Sequence, residues 1–277
     1  MARRPAAHSP TSGSQIITPV AMAATLALLT ANVWLASRLV EQQRITSREH
    51  DFWALCQPGS TPTEREAAFR HLVAAGNSEW RGAQLRGLNL AGISIPGADL
   101  QNAGFQRASL VGANLGGARL CRSSLELADL SGAELSRADL SETWLFQAIL
   151  KGATLQRAKL CASTLKQVQA ENADFAMADL SDAECVMANL SGAKLMGANL
   201  SGAKLESAIL KGANLFLARF DGTDLTDADF TNANWWRARG LTTKQIDVLK
   251  KKFAPTSTAD PALKNDYARW AEAGGSG

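Results

Sequence analysis

The sequence predicts an all-β solenoid: a square coil of about 7–8 turns, with short helices at its ends and a membrane-spanning helix ahead of it. Three observations carry the coil. A large apolar residue occupies every position divisible by five from Leu85 to Trp235. These 31 consecutive positions hold 23 Leu, 4 Phe and one each of Ile, Cys, Ala and Trp, a register too strict for helix or strand. Two residues before each comes a small one, Ala at 24 of the 31, beginning with Ala83, Ala98, Ala103 and Ala108. No insertion breaks the phase.

A helix repeats its apolar side every 3.6 residues and a strand every 2. A period of five fits neither. It fits a chain that turns a corner every five residues, with one Leu and one Ala pointing inward on each side and three residues pointing outward. Four sides close a square, so residues about 20 apart stack at strand spacing, roughly 4.8 Å. The repeats then make a rod of roughly 37 Å, each turn stable through its neighbours.

The segments Ala98-Asp99-Leu100, Ala113-Asn114-Leu115, Ala138-Asp139-Leu140, Ala188-Asn189-Leu190 and Ala213-Asn214-Leu215 resemble the A-(D/N)-L-x-x signature of pentapeptide-repeat proteins. That resemblance implies a right-handed quadrilateral β-helix. It implies no single activity, because function lies in sites grafted on a fold.

Taken in order, residues 1–15 are polar and carry Arg3 and Arg4, the composition of a disordered tail. Residues 16–37 follow as the expected transmembrane anchor. Thr11 to Ser37 holds no charge, and the apolar run from Ile16 to Leu35 is long enough as a helix to cross a bilayer. A cleaved signal peptide is the competing reading. Arginines on both flanks (Arg3 and Arg4; Arg38, Arg44 and Arg48) leave the orientation open. Residues 38–80 form a linker and an N-terminal capping helix. Thr61-Pro62-Thr63-Glu64 reads as a capping box with Pro at the first helical position. Phe69, Leu72 and Val73 share one side of that helix, and Gly76 stops it. With Trp80 it is expected to cover the first coil, whose strand edge is otherwise open. Residues 81–239 are the β-helix itself. Ala170 in a Leu slot beside Val168 in an Ala slot reads as a volume swap or as a bulge. Residues 240–277 hold capping helices and a tail. Thr242 to Gln245 opens one helix, and Asp260-Pro261 opens another with Leu263, Tyr267 and Trp270 on one side. These helices are expected to cap the far end, with a homodimer contact or the docking of a partner as their further use.

Phase alone places outward residues. Asp99, Arg119, Asp139, Lys159, Asp179, Asn199 and Arg219 form one column, read as a ladder of alternating charge. Gly92, Gly112, Gly132, Gly152, Asn172, Gly192, Gly212 and Asn232 form another, read as tight corners. Two apolar groups also point outward. Leu127, Trp144, Phe146, Val186 and Met187 fall on one side. Ala176, Met196, Phe216 and Trp236 make a vertical stripe on another, flanked by Met177 and Leu217. These are the candidate interaction residues.

No catalytic, cofactor or metal site is expected. The three histidines (8, 50 and 71) lie outside the repeat, and no phosphate loop, nucleophile elbow or zinc pattern occurs. Asp221, Asp224, Asp227 and Asp229 read as a solvated acidic end. Cys121 and Cys161 point outward and Cys185 inward, which favours a reducing compartment and a cytoplasmic rod. Within 81–239 there are 16 Lys plus Arg and 16 Asp plus Glu, so the rod is neutral. No nucleic-acid partner is therefore expected.

The expectation is a non-enzymatic scaffold tethered to a bacterial inner or thylakoid-type membrane, presenting its rod to a protein partner. The resemblance implies two alternatives. One is a duplex-DNA mimic that binds a topoisomerase such as gyrase, which requires an acidic rod. The other is a structural component of a membrane surface.

Overall fold

The structure is a computed structural model that describes residues 36–39, 55, 60–257 and 259–275. Residues 1–50 and 51–277 are separate compact units. Of the first, only 36–39 are described, as exposed helix. The expected anchor at 16–37 thus lies outside the described residues but for Ala36 and Ser37. No helix among the described residues is long and apolar enough to cross a membrane.

In the second unit the repeats form a β-helix. On each side the residue between Ala and Leu makes parallel bridges to the residues 20 before and 20 after it, as in Asn114↔Glu134↔Thr154↔Asp174. Backbone bonds tie the coils. Leu155 N–H donates to the Asp174 carbonyl at 2.7 Å, and Asp174 N–H to that of Ala153 at 2.9 Å. The Leu and Ala side chains pack inward as one continuous core. Leu115, Leu155 and Leu200 are fully buried. The phase holds at 168–170: Val168 and Ala170 are both buried, and Gln169 keeps its bridges to Ile149 and Asn189. The pair is a volume swap, and no extra residue enters the ladder.

Each corner closes with a bond from the next Ala-slot N–H to the Leu carbonyl, as Ala158 to Leu155 at 3.1 Å. The second residue after each position from 80 to 230 in the five-residue frame, Gly82 to Asn232, has φ between 54 and 70°. That combination is a type II turn, which needs positive φ at its third residue. Only one column of Gly and Asn was expected to turn this way. All four corners do, and 18 of these 31 positions are not Gly, Leu127, Met177, Met187 and Leu217 among them.

The corners also explain the Asp or Asn before each Leu. Its carboxylate or amide oxygen accepts from the backbone N–H two residues on: Asp139 from Ser141 at 3.1 Å, Asn189 from Ser191 at 3.1 Å, Asp229 from Thr231 at 2.8 Å. This is the local bond that makes Asp and Asn good turn residues. The expected charge ladder is correspondingly partial. Asp99 pairs with Arg81 at 2.8 Å and Arg119 at 3.5 Å, but Arg219 turns to Asp221 at 3.2 Å.

Both ends of the β-helix are covered. Helix α1 (Pro62–Ala74) starts with the capping box of Thr61 and Glu64 and carries Pro at its start. It buries Ala68, Phe69 and Leu72, with the Phe69 ring 4.3 Å from Trp80. Its arginines meet the open edge of the first coil. Arg65 donates to the Gln84 carbonyl at 3.5 Å and Arg70 to that of Asn89 at 2.8 Å. At the far end a 3-10 turn (Trp235–Arg237) leads to α2 (Thr243–Phe253) and α3 (Pro261–Glu272). Gln245 Nε2 donates to the open Thr223 carbonyl at 3.0 Å, and Trp235 Nε1 to that of Phe253 at 3.0 Å. Trp235, Trp236, Tyr267 and Trp270 interlock with centroids 5.0–6.0 Å apart, edge to face except for the tilted pair Tyr267–Trp270.

Candidate interaction surface

Among the described residues the interior of the rod is filled by packed side chains, which leaves its outer walls as the surface for recognition. Among the described residues no group of three or more His, Cys, Asp or Glu is placed to hold a metal ion. Asp221, Asp224 and Asp229 are engaged locally, by Arg219, Thr226 and Thr231 respectively.

Much of the charge on the walls is paired. Arg122 forms two bonds to Glu142, at 2.9 and 3.1 Å. Glu184 sits between Lys166 at 2.8 Å and Lys204 at 3.0 Å. Lys166 and Lys204 hold the Glu184 carboxyl below the usual carboxylate range, against a smaller opposing effect of burial. The walls are self-neutralising, unlike the sustained acidic face that mimicry of a nucleic acid requires.

The first apolar group divides in two. Leu127 and Phe146 lie on adjacent coils, joined by Leu127 N–H to the Phe146 carbonyl at 3.0 Å. Trp144 is beside them and 50% exposed. Met187 is also exposed and Val186 half-buried. Between the two parts stand Gln147 and Gln167, bonded at 2.6 Å, with Gln167 reaching Met187 Sδ at 3.9 Å. Counting apolar residues on one side had not separated them, because the amides share a corner column with Leu127 and Met187.

The second group is continuous. Met177 N–H donates to the Met196 carbonyl at 2.9 Å, and Gly197 N–H to that of Phe216 at 2.8 Å. Met177 lies against Gly197, where a Cβ would be 2.5 Å from its Sδ. Met177, Met196, Phe216 and Leu217 are all exposed, and half-buried Ala176 completes the patch.

Trp236 does not belong to this surface. It is buried, with Tyr267 of α3 at 5.0 Å and its Nε1 donating to Asp266 at 2.8 Å. Arg237 grips the same carboxylate through Nε at 2.9 Å and through Nη2. The cap covers the last rung of the stripe and leaves the upper rungs open. Trp270 is likewise turned onto the core and Tyr267 packed against it.

The cysteines separate by environment. Cys121 and Cys161 are free and half-buried, Cys161 Sγ lying 3.1 Å from Ser141 Oγ. Burial pushes the Cys185 thiol up to about 12.

A family model described as Pentapeptide repeats matches residues 81–117, 108–145, 163–197 and 173–212, in eight copies. No curated protein matches the sequence. Among solved structures, HetL, a pentapeptide repeat protein involved in heterocyst differentiation regulation from the cyanobacterium Nostoc sp. strain PCC 7120, is 28% identical. The match covers 62% of this chain and 95% of that one, with a TM-score of 0.27. QnrB1, a plasmid-mediated fluoroquinolone resistance protein, is 19% identical over 67% of this chain and 96% of that one, with a TM-score of 0.27. A pentapeptide repeat protein from the Arabidopsis thaliana thylakoid lumen is 26% identical over 66% and 88%, with a TM-score of 0.21.

Proposed function

Because the chain belongs to the pentapeptide-repeat family, we propose that it works as a non-enzymatic protein-interaction module whose docking face is the stripe of Met177, Met196, Phe216 and Leu217. One observation carries the choice: this stripe runs unbroken across adjacent coils, whereas Gln147 and Gln167 divide the other apolar group. Met177 and Leu217 are held at φ 60 and 59° while exposed. A side chain in that conformation costs about 1 kcal/mol that glycine avoids, and other corners of this rod use glycine. Large apolar groups kept there, in solvent, contribute little packing to the rod itself. They form instead a rigid, adaptable patch of the kind partners bury. Leu127, Trp144, Phe146, Val186 and Met187 make a secondary patch of the same character.

The test replaces Met196 and Phe216 by Ser in the native host and places a photo-crosslinker at Leu217 or, as control, at Lys159. A discrete protein adduct at Leu217, lost in the Ser variant, supports the reading. Equal adducts at both sites would overturn it.

The uncharged run from Ile16 to Leu35 supports the further reading that the module is held at a membrane, and the free thiols of Cys121 and Cys161 support a rod on the cytoplasmic side. Deleting residues 1–37 should then move the protein from the carbonate-washed membrane fraction to the soluble one. Retention in the membrane fraction would refute the tether. Paired, neutral walls disfavour the DNA-mimic alternative; inhibition of gyrase supercoiling by the untethered rod would restore it.

A further inference from the structure

Where the rod ends, on the side formed by residues 223–227, the cap leaves the next rung vacant. Within the rod, Leu205 N–H donates to the Asp224 carbonyl and Ser207 N–H to that of Thr226, both at 2.8 Å, while Asp224 N–H donates to the Ala203 carbonyl at 3.0 Å. One coil on, the corresponding groups are Thr223 C=O, Leu225 N–H and Asp227 N–H. Gln245 Nε2 supplies the donor for Thr223. The residues that would accept from Leu225 and Asp227 are Lys244 and Ile246, which the chain has placed in α2. Both N–H groups therefore lack a backbone acceptor among the described residues.

They border a cavity of about 290 Å³ between the last coil and α2. Its apolar lining is Leu225, Ala228, Val248, Leu249 and Phe253. Leu225 is the one residue of the 31 Leu-slot positions that is only half-buried. Exposed Val248 lies at the mouth. Lys244 and Lys252 on one wall face Asp224 and Asp227 on the other, so the rim has no net charge.

We propose that this vacancy binds a short extended peptide segment of a partner protein, which adds one further rung to the rod. Its two carbonyls, two residues apart, accept from Leu225 N–H and Asp227 N–H. The side chain between them, Leu-sized and apolar, enters the cavity against Phe253. Strand addition to an open edge gives affinity through the backbone and selectivity through the pocketed side chain. The alternate spacing of the two donors matches an extended chain and exceeds the reach of a single carboxylate. The neutral rim selects for neither charge.

The test is amide hydrogen exchange of the full chain, read by mass spectrometry on the segment 222–228. Acetyl-Ser-Leu-Ser-amide at millimolar concentration should slow exchange there at least several-fold, and acetyl-Ser-Gly-Ser-amide should not. Val248→Trp, which fills the mouth from an exposed helix position, should abolish the effect with the thermal midpoint unchanged. Should that variant fold poorly, the Leu and Gly peptides still decide on the unaltered protein. Equal protection by both peptides, no protection by either, or equal protection by 4-methylpentanoate would each overturn the proposal.

Discussion

Leu155→Ala tests the sealed interior, and the chain itself suggests its rescue. Leu155 is fully buried, and its column runs through Leu135 and Phe175. Removing three carbons loses about 2 kcal/mol of transfer free energy, and the void left behind adds to that. The void persists here, because the ladder bonds fix the coils on either side: Leu135 N–H to Thr154 and Leu155 N–H to Asp174, both at 2.7 Å. Walls that cannot collapse place the cost in the upper part of the usual Leu→Ala range, about 4 kcal/mol. For a domain of this size that lowers the thermal midpoint by on the order of 10 °C. At 168–170 the chain shows how such a loss is offset, with Val in the small slot beside Ala in the large one, both buried. Ala153→Val alone should therefore overpack and cost about 1–3 kcal/mol. Combined with Leu155→Ala it should recover part of the loss, giving favourable coupling of at least about 1 kcal/mol. Urea unfolding followed by circular dichroism measures all three variants. A cost for Leu155→Ala below about 1 kcal/mol, or strictly additive losses in the double variant, would refute a rigid stacked interior.

Three further outcomes follow from particular side chains. Ser123 Oγ is fully buried without a hydrogen-bond partner, whereas Ser163 Oγ donates to the Leu160 carbonyl at 2.6 Å. Ser123→Ala should stabilise by about 1 kcal/mol and Ser163→Ala should not, which paired thermal melts will show. The Arg237 guanidinium, bonded to Asp266, holds that carboxyl below the usual range against burial, and Trp236 Nε1 helps. A depressed carboxyl stabilises in full above its unfolded value of about 4 and loses that contribution as pH falls through the lower folded value. The far cap should therefore loosen below about pH 4, seen as a tryptophan fluorescence step that Asp266→Asn removes from the titration. N-ethylmaleimide at pH 8 should label Cys121 and Cys161 and spare Cys185, whose thiol is buried and raised to about 12; mass spectrometry of the labelled protein checks this.

The interior was legible because it obeys one rule in sequence: Leu85 through Trp235 and the small residues before them face inward without slippage. Even Val168 and Ala170 were readable, since summed volume and phase agreed. The corners were less so. Gly and Asn advertise positive φ, but Leu127, Met177, Met187 and Leu217 do not, and only their equivalence to Gly positions in the five-residue frame gives them away. The Asp and Asn columns suggested charge pairing, while the nearer backbone N–H at the corner claims most of those oxygens. Trp236 was misplaced because the frame assumes a regular corner. The 3-10 turn breaks the frame there, and α3 closes over it. The capping of the rod edges by Arg65, Arg70 and Gln245 left no trace in the hydrophobic pattern, because polar residues on a helix usually face water. Signals existed only in their position on the helices next to the first and last coils.

Single-cysteine scanning of positions 151–165 tests the square coil most directly. Cysteine is suited to the large slot, since Cys185 already occupies one. Labelling rates should rise and fall every five residues, slow at 153, 155, 158 and 160 and fast at 152 and 157. Fast labelling at 155 and 160, or a rhythm of 3.6 residues, would contradict the fold and with it the assignment of every outward face.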